Sequence, residues 1–255
     1  MDNFKINSKF QSIKELILDN IVNFNSKGRV LVNGQRNAIK LFDIDEITLN
    51  IKSFKKPNLI NKIAYRYFRK SKASRSFEFA SKLMQMKIGT PQPVAFFENF
   101  DVVGLNESYY VCEHLENVFE FREIVQNETF ENRDFIIRKF TQFTFEMHEK
   151  GIEFLDHSPG NTLIKDNKDE TYSFYLVDLN RMKFHDTIDF QTRMKNLSKI
   201  THKKDMIEVM SNEYAKLSGE NEALVFETMW KLTADFQFRF HRKKRIKKKL
   251  KFWKK

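Results

Sequence analysis

The chain is 255 residues long and 41% apolar, enough for one large domain or two lobes with a buried core, which excludes collagen-like, disulfide-rich and wholly disordered chains. Lys and Arg total 45 against 34 Asp and Glu, and the excess is localised: the last 17 residues, Arg239 to Lys255, carry 11 Lys or Arg and no acid. The preceding 238 residues balance at 34 of each sign, yet from Asn50 to Lys87 there are 11 Lys or Arg and a single acid, Glu78.

The first twenty residues mix Asp2, Lys5, Lys9, Lys14, Glu15 and Asp19 with apolar positions, unlike the apolar stretch of a secretory signal. No run of 18 apolar residues occurs, and the single cysteine, Cys112, forms no internal disulfide. These features predict a soluble chain made and kept in the cytoplasm. Strands come first: Val30 to Val32, a turn at Asn33 to Asn37, Ala38 to Phe42, an acidic turn at Asp43 to Glu46, then Ile47 to Phe54 with alternating apolar residues. From Asn58 to Lys87 helix formers dominate, with Phe77, Ala80, Leu83 and Met84 at helical spacing and Gly89 as the stop. Pro91 and Pro93 lead into a second strand pair, Val94 to Glu98 and Ser108 to Glu113.

Past Glu116 the character turns helical. Ile136, Phe140, Phe143 and Met147 recur at i, i+4, i+7 and i+11, and Gly151 supplies a left-handed cap. A polar loop, Asp156 to Asn161, precedes a β-hairpin whose far strand ends at Asp178, and everything after Ile188 reads as helix. The predicted division is a nucleotide-binding lobe at 1–115, a mainly helical lobe at 116–238 and a basic aromatic tail at 239–255.

The loop D-H-S-P-G-N and the hairpin after it bring three oxygen-bearing side chains, those of Asp156, Asn161 and Asp178, toward one point. Phosphoryl transfer needs such a set: a carboxylate to accept the proton of an attacking hydroxyl, and Asn and Asp oxygens to hold Mg²⁺ on nucleotide phosphates. The five-residue spacing from Asp156 to Asn161 is that of a kinase catalytic loop. The loop alone also fits an ordinary turn, since Asp and Asn populate turns for local reasons. His148 and His157 have no further ligand at metal spacing and read as solvated or capping side chains. Cys112 reads as a small core residue, and the Phe stripe through Phe135, Phe140, Phe143 and Phe145 as core.

With K-S-F-K-K-P, the basic stretch K-S-K-A-S-R-S-F-E-F-A leading to I-G-T-P-Q-P-V-A, then S-P-G-N-T-L-I and V-D-L-N-R-M, the chain from Val30 to Phe184 resembles the lipopolysaccharide kinases of Gram-negative bacteria, the Kdo kinase and core-heptose kinase group. The resemblance implies an α+β, protein-kinase-like, two-lobed fold, with an antiparallel five-stranded sheet plus helix in the N-lobe and a mainly helical C-lobe. It implies ATP and Mg²⁺ as cofactors. By position, Lys52 contacts the α/β-phosphates and Glu78 pairs with it, Gly34 marks the phosphate lid, and Cys112, Glu113 and Leu115 fall in the hinge that binds adenine. Asp156 is then the catalytic base, and Asn161 and Asp178 the metal ligands. Three departures separate the chain from regulated protein kinases: Leu155 precedes Asp156, Leu179-Asn180 follows Asp178 in place of Phe-Gly, and no A-P-E occurs.

The implied acceptor is a sugar hydroxyl of a glycolipid, a Kdo residue on lipid A or a core heptose. The tail then meets the anionic cytoplasmic face of the inner membrane, where each Lys or Arg near the surface contributes about 1 kcal/mol. No nucleic acid partner is expected. Glu78 also lies in i, i+4 reach of Ser74 and Lys82, and Arg181 reads equally as a phosphate contact or a salt bridge. The competing readings are a kinase of an aminoglycoside or choline-like alcohol, which the basic surface disfavours, and a pseudokinase whose tail binds nucleic acid.

Overall fold

A computed structural model describes residues 2–34 and 37–252; Gln35 and Arg36 of the first turn and Trp253 of the tail lie outside the described residues. The chain divides into two compact units, one of Met1–Asn117 with Tyr175–Arg181, the other of Val118–Phe174 with Met182–Lys255. The change of unit thus falls at 117/118, beside an expected 115/116. The seven residues that carry Asp178 group with the first unit, and the basic tail continues the second.

The first unit runs β1 (Asp2–Ile6), α1 (Lys14–Val22), β2 (Arg29–Asn33), β3 (Asn37–Ile44), β4 (Ile47–Phe54), α2 (Leu59–Tyr67), α3 (Lys72–Gln85), β5 (Pro93–Phe100) and β6 (Leu105–Glu113). Its antiparallel sheet has the order β1-β5-β6-β4-β3-β2, the five expected strands plus β1 at one edge. Strand alternation sorts the two faces. Leu49, Ile51, Tyr109 and Val111 pack with Ile17 and Ile21 of α1 in one core, while Lys52, Phe54, Tyr110 and Cys112 belong to the opposite face, where Phe77 of α3 meets Phe96 of β5.

The predicted helix over Asn58 to Lys87 is two helices, each with its own polar cap: Asn58 Oδ1 accepts from Asn61 N–H at 3.0 Å and Ser71 Oγ from Ser74 N–H at 3.1 Å. Two caps thirteen residues apart break a run that has no Gly or Pro between them. The stop after α3 is Lys87, not Gly89. Lys87 takes φ +56°, and the Ile88 and Lys87 N–H groups donate to Leu83 O at 2.9 Å and Met84 O at 3.0 Å, a Schellman closure with Leu83 and Ile88 both buried. Gly89 instead accepts the Leu176 N–H at 2.8 Å.

The second unit comprises β7 (Val118–Glu120), α4 (Phe121–Gln126), α5 (Arg133–Glu149), β8 (Ile152–Phe154), β9 (Thr162–Asp166), β10 (Tyr172–Leu176, which runs on into the first unit), β11 (Met182–Phe184), α6 (Phe190–Leu197), α7 (Lys204–Ser218) and α8 (Glu222–Phe252). Phe121, Ile136, Phe140, Ile164, Met206 and Tyr214 centre its core, as the spacing along α5 predicts. Val225, Met229 and Thr233 bury one side of α8, but beyond Gln237 every described side chain to Lys249 is exposed. The basic tail, as far as Phe252, therefore forms the last turns of a helix 31 residues and about 46 Å long. Among the described residues, no helix is long and apolar enough to cross a membrane.

Gly151 ends α5 at φ +72°, and an added Cβ would stand 1.9 Å from His185 O. The left-handed conformation alone costs an L-residue about 1–2 kcal/mol. The clash is with backbone held by the β8 and β11 pairing, so it adds to that cost. Gly151→Ala is expected to destabilise the protein by about 2 kcal/mol or more, read from urea unfolding midpoints; an unchanged midpoint would contradict this packing.

Candidate active site

In the first unit, Lys52 lies in the middle of β4, its backbone paired to Ile39 and Tyr110 on either side, and its side chain is only 13% exposed. A lysine at that depth needs a counter-charge. The ammonium meets Asp178 Oδ1 at 2.7 Å and lies 5.4 Å above the Phe54 ring. Asn180 Nδ2 donates to the same oxygen at 2.8 Å. Asp178 takes φ +58°, an uncommon conformation for a non-glycine residue and one that active sites retain when the surroundings enforce it. Here the enforcement is visible upstream: Leu176 N–H is bound by Gly89 O, and Leu176 O accepts from Thr90 Oγ1 at 2.9 Å.

In the second unit the loop after β8 is tied by its own carbonyls. Phe154 O accepts from Asn196 Nδ2 at 2.7 Å, Leu155 O from the Lys199 ammonium, and Asp156 O from Asn161 Nδ2 at 2.8 Å. Three successive peptide oxygens are thus held by side chains, which fixes the path of the chain at Asp156. The last bond also orients the Asn161 amide: with Nδ2 turned to the Asp156 carbonyl, Oδ1 lies on the other side of the amide as an acceptor. Gly160 lets the Arg122 guanidinium approach, since an added Cβ would stand 2.0 Å from its Nη2.

His157 of this loop and His148 of α5 are both fully buried, where solvated or capping side chains are expected from sequence. Asn196 Oδ1 faces His148 Nε2 at 3.1 Å and His157 Nδ1 at 3.3 Å. Because Asn196 donates through Nδ2 to Phe154 O, both imidazoles must donate to its oxygen, and Tyr214 OH then donates to His148 Nδ1 at 3.0 Å. Burial is the main cause that pushes His148 down to about 4 and His157 to about 3, so both are neutral at pH 7. Asn196, Lys199, Asn180 and Thr90 carry no sequence signal; only Asn180, two residues past Asp178, stands where a search would begin.

The expected pairing of Lys52 with Glu78 is replaced by two others. Lys52 holds Asp178, and both Glu78 oxygens are taken by Lys70, at 2.7 and 2.8 Å. Lys70 lies in the break between α2 and α3, which puts it over the first turns of α3 within reach of Glu78. At the hinge, Cys112 is buried, and burial pushes its thiol up to about 12, which fits a core residue. The N–H groups of Glu113 and His114 are used by Gln92 O at 3.0 Å and Thr48 O at 2.8 Å. Gly34 closes the β2–β3 hairpin, donating to Asn37 O at 3.1 Å.

The sequence profile of the lipopolysaccharide kinase (Kdo/WaaP) family matches residues 27–219. The chain belongs to this family. Its fold is also that of a solved structure of WaaP in complex with acyl carrier protein, at TM-score 0.65 and 12% identity, covering 94% of this chain and 98% of that one. Two further kinases align less closely: Rio2 of Chaetomium thermophilum, solved with ADP, Mg²⁺ and phosphoaspartate, at TM-score 0.48 and 12% identity over 89% of this chain and 71% of that one, and the MAP kinase LmaMPK10 of Leishmania major, at 0.49 and 17% over 85% and 65%. No curated protein sequence matches the chain.

A lipopolysaccharide kinase is a phosphotransferase, and kinases in general use ATP with a divalent metal. The donor chemistry fits that requirement. Asn161 Oδ1 and the Asp178 carboxylate are hard oxygen donors of the kind Mg²⁺ takes one or two at a time, with phosphates and water completing its shell. Among the described residues no cluster of three or more His, Cys, Asp or Glu offers a self-sufficient cage.

Proposed function

We propose that this lipopolysaccharide kinase transfers the γ-phosphate of ATP to a hydroxyl of a Kdo residue attached to lipid A, with a core heptose as the second candidate acceptor. The observation that carries the reading is the loop at Asp156, whose three pinned carbonyls hold the backbone that bears a carboxylate and, five residues on, an oriented amide. In this reading Asp156 accepts the proton of the attacking hydroxyl. Lys52 holds the α/β-phosphates, which would replace the Asp178 carboxylate as its counter-charge. Asp178 and Asn161 would hold Mg²⁺, which offsets phosphate charge during transfer. With the Glu113 and His114 N–H groups already used, a backbone donor to adenine comes from Leu115, whereas Glu78, tied to Lys70, takes a supporting place beside the nucleotide.

The cationic zone on the first unit suits an anionic glycolipid and disfavours a cationic acceptor such as an aminoglycoside. The exposed end of α8, with Phe238 and Phe240 among its Lys and Arg, suits the anionic cytoplasmic face of the inner membrane. The test is transfer of radiolabelled γ-phosphate from Mg-ATP to Kdo-lipid A, with Asp178→Ala as control. Label in the lipid that falls to background in the variant is the expected result. Absence of label with nucleotide binding intact would remove Kdo as the acceptor and leave the heptose to be tried.

A further inference from the structure

Helix α2 is built inside out. Its polar side faces the protein: Lys62 pairs with Asp101, Arg66 Nη1 donates to Asp101 O at 2.8 Å and Val102 O at 3.2 Å, and the Lys62 carbonyl lies so close to Gly104 that a Cβ there would be 2.4 Å away. The Lys62 ammonium first, then the Gly104 N–H, hold the Asp101 carboxyl down at about 2, so this attachment stays ionised across ordinary pH. The apolar side faces outward. Ile60 is 78% exposed, Phe68 at the C-cap is 82% exposed, and Leu59, Ile63 and Tyr67 share that side; no residue of α2 is buried. An amphipathic helix normally spends its apolar face on the core, so this one is arranged for something outside the chain.

On the flank of α2 lies a cavity of about 580 Å³ lined by Lys55, Lys56, Asn58, Tyr65, Arg69 and Lys72, above Phe54. Arg69 is set in place: its Nη2 donates to Asn61 Oδ1 at 2.8 Å and its guanidinium stacks 4.4 Å from the Tyr65 ring. The carboxylates nearby are matched to their own lysines, Glu107 to Lys56, Asp101 to Lys62 and Glu78 to Lys70. Among the described residues, no carboxylate pairs with Lys55, Arg66 or Arg69 to offset them. The surface therefore joins an apolar ridge to a cationic cavity. Protein interfaces are depleted in lysine, whereas an interfacial helix on an anionic bilayer is expected to have Leu, Ile and aromatic residues on one face and Lys and Arg on the other.

We propose that α2 seats the first unit on an anionic bilayer: Leu59, Ile60, Ile63, Tyr67 and Phe68 enter the boundary of the acyl chains, and the cavity holding Lys55 and Arg69 takes the phosphate of a lipid headgroup. The contact is separate from the exposed end of α8 and from phosphoryl transfer, so it stands or falls without either.

Its test uses the full chain. Cys112 is buried with its thiol held protonated, so a cysteine placed at Ile60 (Ile60→Cys) is labelled selectively with a polarity-sensitive fluorophore; Glu170→Cys, on an exposed turn of the second unit, is the control. Each labelled protein is mixed with vesicles of phosphatidylcholine alone or with phosphatidylglycerol added. The expected result is a blue shift and a several-fold gain in emission at residue 60, with phosphatidylglycerol only, and no change at residue 170. Lys55→Gln with Arg69→Gln should weaken vesicle binding about thirty-fold, while circular dichroism shows the fold retained. Vesicle binding that leaves residue 60 in a polar environment would overturn the proposal and assign the membrane contact to α8. A shift at residue 60 that depends on protein concentration without lipid would also overturn it, in favour of a second copy covering the face.

Discussion

Replacing Asp156 with alanine is expected to lower phosphoryl transfer by about 10²- to 10⁴-fold, the range associated with a positioned general base, while nucleotide affinity stays within about twofold. The prediction is sharp because three bonds to backbone carbonyls hold the path of the loop. The Phe154, Leu155 and Asp156 carbonyls are held by Asn196, Lys199 and Asn161, and the β8–β11 pairing fixes Phe154 opposite Met182. An alanine at 156 keeps its carbonyl and so keeps the bond that orients Asn161. Lys52 and Asp178 belong to the first unit and keep their own contact. Transfer measured with Mg-ATP and glycolipid, beside titration of a fluorescent nucleotide, separates the two effects. Equal loss of binding and transfer would show that Asp156 supports the nucleotide site, and unchanged transfer would remove it from the chemistry. Asp156→Asn, which keeps the shape and loses the basicity, should match the alanine variant in transfer.

What the sequence discloses about this site follows the reach of each interaction. The spacing from Asp156 to Asn161 is local, and it survives in the fold as a backbone-to-side-chain bond within one loop. Gly151 is legible for the same reason: a helix end is set by residues within one turn of it. Alternation along β4 likewise puts Lys52 on the face opposite Leu49 and Ile51 before any partner is known. The partner of Lys52 is another matter. Glu78, alone among cations, looks like the obvious one, but Lys70 reaches it first because the chain breaks between two capped helices, and Lys52 finds Asp178, 126 residues away. Strand β1 escapes notice because its mixed Asp-Asn-Phe-Lys-Ile stretch is an edge, paired on one side only, with β5. The orientation of α2 is equally invisible: its amphipathic pattern is plain, yet only tertiary contacts show that the polar side is the attached one.

Acidification from pH 8 to pH 5 is expected to cost the folded protein about 4 kcal/mol through His148 and His157 alone. The sign follows from where the protons go. Both imidazoles are held below the ordinary value of 6.5, at about 4 and about 3, chiefly by burial. Between pH 6.5 and pH 4 the unfolded chain therefore binds two protons that the folded chain does not, and stability falls as pH drops at roughly 1.4 kcal/mol per unit for each group. Geometry explains why the folded state refuses them. A proton on His157 would go to Nε2, which has no hydrogen-bond partner, and one on His148 would go to Nδ1, which already accepts from Tyr214. His114, also lowered by burial, adds to the effect with the same sign. The carboxyl of Asp101, held at about 2, works in a lower window: its contribution begins to fade only below the unfolded value near 4, so pH 6.5 to 5 isolates the histidines. Phe140 and Phe154 flank His157 with ring centroids at 5.5 and 5.7 Å, which makes His157→Phe a tolerable replacement that removes one titrating group. Urea unfolding at a series of pH values should show a slope of about 2.4 kcal/mol per unit between pH 6 and 5 in the parent and about half that in His157→Phe. Stability that is flat across this window would mean that the two imidazoles titrate freely, and the buried support of the Asp156 loop would have to be abandoned. Molecules that stay folded keep both imidazoles neutral across this window, so Asn196 goes on joining them to the Phe154 carbonyl that holds the loop in place.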